Sequence, residues 1–249
     1  MDIGKIGREK HYVRALLQVD VTEARKKIKE HRQAGKKIAF TAWLIKVIAD
    51  CAALHPPICA VNRPRVNKVV VFKDVNVSIV VEKEVGGTRV PLPYLIRRAD
   101  QKTYDQIHAE IESARSQKIV DEGNYVLGDK YNTAALNLFV HLPQWLRLLL
   151  MRSFVLNNPR RMQKMMGTVM VTTVGMVGHT RGWMIPFSMH PLSLAFGSLN
   201  EQPAVFRGEI QKRAILHLTV QIDHDVVDGM PAARFVDDLV KKIQEGWEL

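Results

Sequence analysis

The stretch TVQIDHDVVDGMPAARF, residues 219–235, puts His224 at the end of a β-branched run and follows it with Asp228 and Gly229 in an H-x-x-x-D-G spacing. Histidine has the unperturbed pKa nearest neutrality, so at that position it could take a proton from a thiol, hydroxyl or amine and later return it. Asp228 would fall back near the imidazole or the loop that carries it. Gly229 would let the chain turn sharply into a helix without a Cβ clash. The plainer reading is that His224 hydrogen-bonds a buried carbonyl and does no chemistry. Neither Cys51 nor Cys59 belongs to a CxxC or a Cys/His metal pattern, so no metal is expected.

A histidine in this role needs a strand to deliver it and a helix to close its loop. LHLTVQI before it reads as that strand, and MPAARFVDDLVKKIQEGW after it as that helix. Upstream, YVRALLQVDV (12–21) has the texture of a strand. TEARKKIKEHRQAG starts with a Thr cap and stops at Gly35, as a helix would. The segment 39–57, AFTAWLIKVIADCAALHPP, is apolar on most faces and ends at a Pro pair, the pattern of a buried helix. Residues 68–87 read as two strands or one bent strand closing on Gly-Gly, and 100–120 as an amphipathic helix. From Met166 the order is strand, glycine-rich turn, strand (PLSLAFGSL), hairpin and helix. The fold class this predicts is α/β (α+β), a two-layer sandwich whose mixed β-sheet is covered by helices on one face.

The chain has 249 residues, 47% hydrophobic and 24% charged, enough for one sizeable core, and no linker composition divides it, so 1–249 reads as a single domain. Its net charge of +11 favours an anionic partner: nucleic acid, an acidic membrane surface, a phosphorylated cofactor or an acidic protein. The excess is dispersed, with local clusters at 24–37 and 157–164. No aromatic-interleaved basic ladder, zinc spacing or recognition-helix pattern accompanies it, which argues against nucleic acid. Two isolated cysteines fit a reduced, cytoplasmic compartment. The N-terminus has no secretory h-region, and the longest uncharged runs, 131–146 and 165–180, fall short of the ~20 apolar residues a membrane span needs. Residues 131–166 stand apart, rich in Leu and Met and flanked by Arg. They read as a helical cover or the wall of an apolar channel, with a membrane-surface helix as the other reading.

DHDVVDGMPAARFVDDLVKKI resembles the C-terminal motif of the acyltransferase component of 2-oxo acid dehydrogenase complexes, the dihydrolipoamide acyltransferases. It is also similar to the H-x-x-x-D-G of chloramphenicol acetyltransferase, which shares their fold. Further segments follow in the family's order: VDVTEARKKI, FTAWLIKVIADCAALHPPICA, KDVNVSIVVEKEVGGTRVPLPYLIRRADQKTYDQI, and GTVMVTTVGMVG, which resembles G-G-x-F-T-I-S-x-x-G-x-x-G. The resemblance implies a chloramphenicol acetyltransferase-like fold and direct acyl transfer in a ternary complex, with coenzyme A or acyl-CoA as substrate and a dihydrolipoyl-type thiol as acceptor. It implies His224 as general base. Aligning Gly175 and Gly178 on the family's glycines implies Thr172, 52 residues earlier (224 − 172), as the hydroxyl that meets the oxyanion. Thr173 is the adjacent alternative, and strand alternation allows only one of the two to face the site. Asp228 is implied as a prop that pairs with an arginine, Arg8 or Arg14 here. A homotrimer is implied too, with the histidine and the hydroxyl coming from different subunits.

The match departs from the family at Asp225, where those acyltransferases carry Arg, and at IPFSMHPLS, which replaces N-P-P. No lipoyl or subunit-binding domain is recognised, the C-terminal EGWEL lacks the apolar tail that joins trimers into larger cores, and 131–166 is longer and more apolar than the family's loop. The expectation is a free-standing trimer whose acceptor is either a lipoyl group on a separate carrier protein or not lipoate at all, such as a hydrophobic acceptor; peripheral membrane contact through 131–166 is the lesser reading. The competing expectation is a trimeric scaffold or binding module of the same fold without catalysis.

Overall fold

A computed structural model describes residues 2–63, 66–85, 88–117, 138–173 and 181–249. The chain opens with a short helix α1 (Asp2–Arg8) and strand β1 (Tyr12–Asp20), followed by helices α2 (Thr22–Gln33) and α3 (Phe40–Leu54). Strands β2 (Val61–Arg63), β3 (Lys68–Val70), β4 (Val77–Val85) and β5 (Thr88–Ile96) lead to helix α4 (Tyr104–Ser116). Helices α5 (Gln144–Leu150) and α6 (Pro159–Met166) precede strand β6 (Val169–Thr172). The long hairpin β7 (Leu192–Phe206) and β8 (Glu209–Asp223) then leads to helix α7 (Gly229–Glu245).

Six strands form one mixed sheet in the order β1-β8-β7-β6-β4-β5. The β6 strand runs parallel to both its neighbours, whereas β1–β8, β7–β8 and β4–β5 are antiparallel. Period-2 alternation decides what each face carries. Val77, Ile79, Val169, Val171, Leu192, Leu194, Phe196, Leu218, Val220 and Ile222 turn toward the helices and are buried in the core. The α3 helix lies across them, apolar almost all round, with Trp43 wholly buried and its indole N–H donating to the Trp247 carbonyl at 2.8 Å. Each large side chain so buried contributes about 1.5–3 kcal/mol, which is why α3 cannot leave the sheet without unfolding the layer.

The opposite face of the sheet is polar yet buried: Ser193, Thr219, Gln221 and Asp223 are all nearly inaccessible. Residues 181–191 cover it. The Gln221 amide donates to the Pro186 carbonyl at 2.9 Å, and the Trp183 indole donates to the Leu17 carbonyl at 2.9 Å and meets the His217 ring edge-on. At the bulge of β7 this cover comes so close that a Cβ on Gly197 would lie 2.4 Å from the Gly182 carbonyl oxygen.

Three local expectations change. The 68–87 stretch divides between two sheets, β3 pairing with β2 in a separate ribbon while β4 joins the main sheet. Val21, not Thr22, is the N-cap of α2. The Thr22 hydroxyl instead donates to Asp20 at 2.6 Å and accepts the Ala214 N–H at 2.8 Å, so it ties β1 to β8. The amphipathic helix begins only at Tyr104, where Thr103 and Gln106 form a reciprocal capping box. The glycine-rich turn with Gly175 and Gly178, and residues 131–137 of the apolar segment, lie outside the described residues.

Candidate active site

His224 follows the last residue of β8, and its backbone N–H extends the β1–β8 ladder by one bond, to the His11 carbonyl at 2.7 Å. The chain then turns around Asp223. The Asp223 carbonyl accepts the N–H groups of Val226 and Val227 at 3.2 Å, and its carboxylate accepts that of Asp225 at 3.3 Å. Asp223 is 1% exposed and ion-paired with Lys10. Beside it the Tyr12 hydroxyl donates to the His190 carbonyl at 2.8 Å, and burial together with the Asp223 charge pushes the phenol up, so it stays a neutral donor. The loop backbone is thereby fixed while the His224 side chain is exposed and, among the described residues, makes no side-chain hydrogen bond. The His224 imidazole is therefore not bonded to a buried carbonyl among the described residues.

Asp228 is the N-cap of α7, and its carbonyl accepts the Ala232 N–H at 3.2 Å. Its exposed carboxylate neither caps the helix nor, among the described residues, joins an ion pair. Arg8 lies over the Phe187 ring, 5.6 Å from its centroid, and Arg14 donates to the Gln221 amide oxygen at 3.1 Å, so neither arginine pairs with Asp228 within this chain. Gly229 has no positive φ and a Cβ there would meet nothing within 4 Å, so the turn itself does not require glycine. Among the described residues Asp225 accepts no arginine N–H; its carboxylate meets His11 Nδ1 at 2.8 Å.

Thr172 ends β6, 7% exposed, and shares the polar face of the sheet because Val169 and Val171 take the core face. Thr173 falls on the other face, beside Thr41, Ile45 and Ile111. The registers fix where Thr172 lies relative to His224: Thr172 stands opposite Ala195, Ala195 opposite Thr219, and His224 is five residues beyond Thr219. Five strand residues and two strand spacings separate them by about 19 Å. One carbonyl group cannot touch both side chains of the same chain.

Sequence reading missed Lys10, Tyr12 and Asp223, which hold the histidine loop. The available signal was an aspartate closing an otherwise apolar strand, since a carboxylate in that setting must be paired. An apolar groove of about 620 Å³ runs between β1 and α7, lined by Val13, Leu17, Ile222, Gly229, Ala233 and Val236 among others, and reaches the start of α7 next to Asp228.

The sheet is mixed and covered by helices on one face, and an exposed histidine follows its longest hairpin. The family model described as 2-oxoacid dehydrogenases acyltransferase (catalytic domain) matches residues 11–121 and 157–249, and the chain belongs to that family. The unmatched stretch between them overlaps the apolar segment 131–166. Among curated proteins, the chain is 27% identical over 228 residues to the dihydrolipoyllysine-residue acetyltransferase component of the pyruvate dehydrogenase complex of Mycoplasma genitalium, covering 88% of this chain and 49% of that protein. It thus spans about half the length of the curated relatives it matches. Among solved structures it superposes on the cubic core of the pyruvate dehydrogenase multienzyme complex with a TM-score of 0.67 at 19% identity, covering 98% of this chain and 86% of that one. The dihydrolipoamide acetyltransferase of Azotobacter vinelandii gives a TM-score of 0.67 at 21% identity with the same coverage. The two-layer mixed-sheet fold expected from the sequence is the fold observed. No helix among the described residues is long and apolar enough to cross a membrane.

Proposed function

We propose that this chain is the catalytic unit of an acyltransferase that moves an acyl group between coenzyme A and a dihydrolipoyl-type thiol. His224 takes the proton of the acceptor thiol, and the resulting thiolate attacks the thioester carbonyl. The Thr172 hydroxyl donates to the oxyanion of the tetrahedral intermediate. Collapse of that intermediate expels the second thiolate, which recovers the proton from His224. One preorganised donor of this kind contributes about 3 kcal/mol to transition-state stabilisation.

The carrying observation is a set of intervals. The Azotobacter structure was solved to investigate the role of a serine, a histidine and an asparagine in its catalytic mechanism, and they stand at the same intervals as Thr172, His224 and Asp228. An asparagine carries no titratable proton, which supports Asp228 as a prop of the loop rather than a proton carrier. The separation of Thr172 from His224 within one chain supports a site shared between neighbouring subunits of a homotrimer, where the partner's surface also supplies what Asp228 lacks here. The phosphates of coenzyme A give the basic excess a partner. A second acceptor class, a hydrophobic non-lipoyl one, is favoured by a set of exposed apolar side chains, Trp145, Leu149, Phe154 and Phe187.

The test is release of coenzyme A thiol from acetyl- and longer acyl-CoA with dihydrolipoamide, other small thiols and hydrophobic alcohols as acceptors. His224→Ala is expected to lose at least about 100-fold. Mixing His224→Ala and Thr172→Ala subunits at equal ratio is expected to restore about a quarter of wild-type activity, because a quarter of the interfaces in a random closed trimer then carry both intact side chains. Unchanged turnover in His224→Ala overturns the assignment. Absence of restoration in mixed assemblies overturns the shared site.

A further inference from the structure

Away from the histidine loop, where α3 packs against α7, three chemically different ligand groups converge. Cys51 and His55 stand one helical turn apart at the end of α3, so they share a face, and Asp238 reaches them from α7. Asp238 Oδ2 lies 3.6 Å from Cys51 Sγ and 3.2 Å from His55 Nε2, and all three atoms lie within 4.8 Å of one another. A tetrahedral zinc ion, with Zn–S of about 2.3 Å and Zn–N and Zn–O of about 2.0 Å, separates its sulfur and oxygen ligands by about 3.5 Å and its nitrogen and oxygen ligands by about 3.3 Å. Both pairs match those separations, and the third, sulfur to nitrogen, lies within 4.8 Å.

We infer that Cys51, His55 and Asp238 form a binding site for a tetrahedral, borderline-soft divalent cation of the zinc type, with water as the fourth ligand, that ties α3 to α7. The donor set selects the metal class: one sulfur, one imidazole nitrogen and one carboxylate oxygen suit zinc and not the all-oxygen shells of calcium or magnesium. Access is one-sided. Cys51 is buried, whereas the His55 and Asp238 side chains are 26% and 33% exposed, which leaves room for the ion and its water on the solvent side.

The remaining charges around the cluster are consistent with this placement. Lys242 approaches the other carboxylate oxygen, Oδ1, at 3.9 Å while lying over the Trp247 ring, so it leaves Oδ2 to the ion. Its ammonium weakens the binding of a cation, and the thiolate and the carboxylate together offset the ion's two charges. Asp50, the other carboxylate beside Cys51, is held by Lys46 at 2.6 Å. A thiolate ligand gives up its proton when it binds the ion, so affinity rises with pH. The position is also informative. Asp238 lies ten residues into the helix whose N-cap is Asp228, about 15 Å along its axis, so the ion would not touch the reacting groups but would anchor the helix that follows their loop.

Cobalt(II) titration of the whole chain tests this, because a thiolate ligand gives a charge-transfer band that oxygen and nitrogen sites lack. One equivalent is expected to bind with that band and a tetrahedral visible spectrum. Cys51→Ser is expected to abolish the band, and His55→Ala, at a partly exposed position, to weaken binding at least about tenfold. Cys59→Ser is expected to leave it unchanged, since Cys59 lies outside the cluster. Zinc is expected to raise the Tm of the wild type and not of His55→Ala. No charge-transfer band at saturating cobalt, a band that survives Cys51→Ser, or equal zinc stabilisation of His55→Ala overturns the inference.

Discussion

Lowering the pH from 7.5 to 5.5 should destabilise this protein through one buried histidine, His190, in the segment that covers the polar face of the sheet. Its hydrogen bonds admit a single proton arrangement. Nε2 lies 3.1 Å from the Met166 carbonyl oxygen, which only accepts, so Nε2 carries the proton. Nδ1 must then accept from the Ser188 hydroxyl at 3.1 Å. That hydroxyl oxygen already accepts the His190 backbone N–H at 3.1 Å and the Ser193 hydroxyl at 2.6 Å, so it cannot also accept a proton from an imidazolium Nδ1 without losing a donor. Burial, opposed by the Met166 bond, pushes the His190 pKa from 6.5 down to about 4. The folded value lies below the unfolded one, so the unfolded chain binds more protons between the two. Stability is therefore complete above pH 6.5 and is lost as the pH falls toward 4. Because the folded value lies well below 5.5, about 1.4 kcal/mol is lost by pH 5.5, above the range where carboxylates titrate.

The assay is urea unfolding at pH 7.5 and 5.5 at fixed protein concentration, since any assembly makes stability concentration-dependent. The comparison is His190→Gln, whose amide keeps the donation to Met166 and does not titrate. Wild type should lose about 1.4 kcal/mol more than the variant across that interval. Equal losses in the two proteins, or a His190 resonance titrating near its ordinary value in the folded state, would refute the reasoning.

Three further outcomes follow from individual atoms. Among the described residues the buried Thr219 hydroxyl has no hydrogen-bond partner, so Thr219→Val, which keeps the shape, should raise stability by about 1 kcal/mol, read as a higher urea midpoint with an unchanged slope. Gly167 has φ +77 and a Cβ there would lie 2.6 Å from the Asn76 carbonyl oxygen; Gly167→Ala should cost about 2 kcal/mol or more and lower the Tm, and a neutral effect would mean that β6 starts differently. Lys10→Met removes the partner of the nearly inaccessible Asp223 carboxylate and should destabilise by about 3 kcal/mol while lowering kcat more than it changes KM, and Lys10→Met with Asp223→Asn should recover part of both.

Much of the fold was legible because its elements obey local rules. The α3 stretch is apolar on nearly every face and stops at two prolines, and β8 alternates so consistently that one reading frame puts Leu218, Val220 and Ile222 together in the core. What misled were residues whose side chains bond across the sheet. Thr22 looks like a helix cap in sequence, yet its hydroxyl is used by Asp20 and Ala214, and only the β1–β8 register shows that. Gly229 looks obligatory for the turn after Asp228 and is not.

For the proposed site, sequence determined the spacing of Thr172, His224 and Asp228 and the alternation that separates Thr172 from Thr173, because both are properties of order along one chain. Tertiary structure decided the rest. Asp223 becomes the hub of the histidine loop because Lys10 and Tyr12 come to it across the β1–β8 ladder from more than 200 positions away. Cys51, His55 and Asp238 become a cluster because α3 and α7 pack side by side, a contact no local pattern encodes. Hydrogen bonding along a strand and burial on one face are dictated by neighbouring residues, whereas the meeting of charged groups depends on which elements the core brings together.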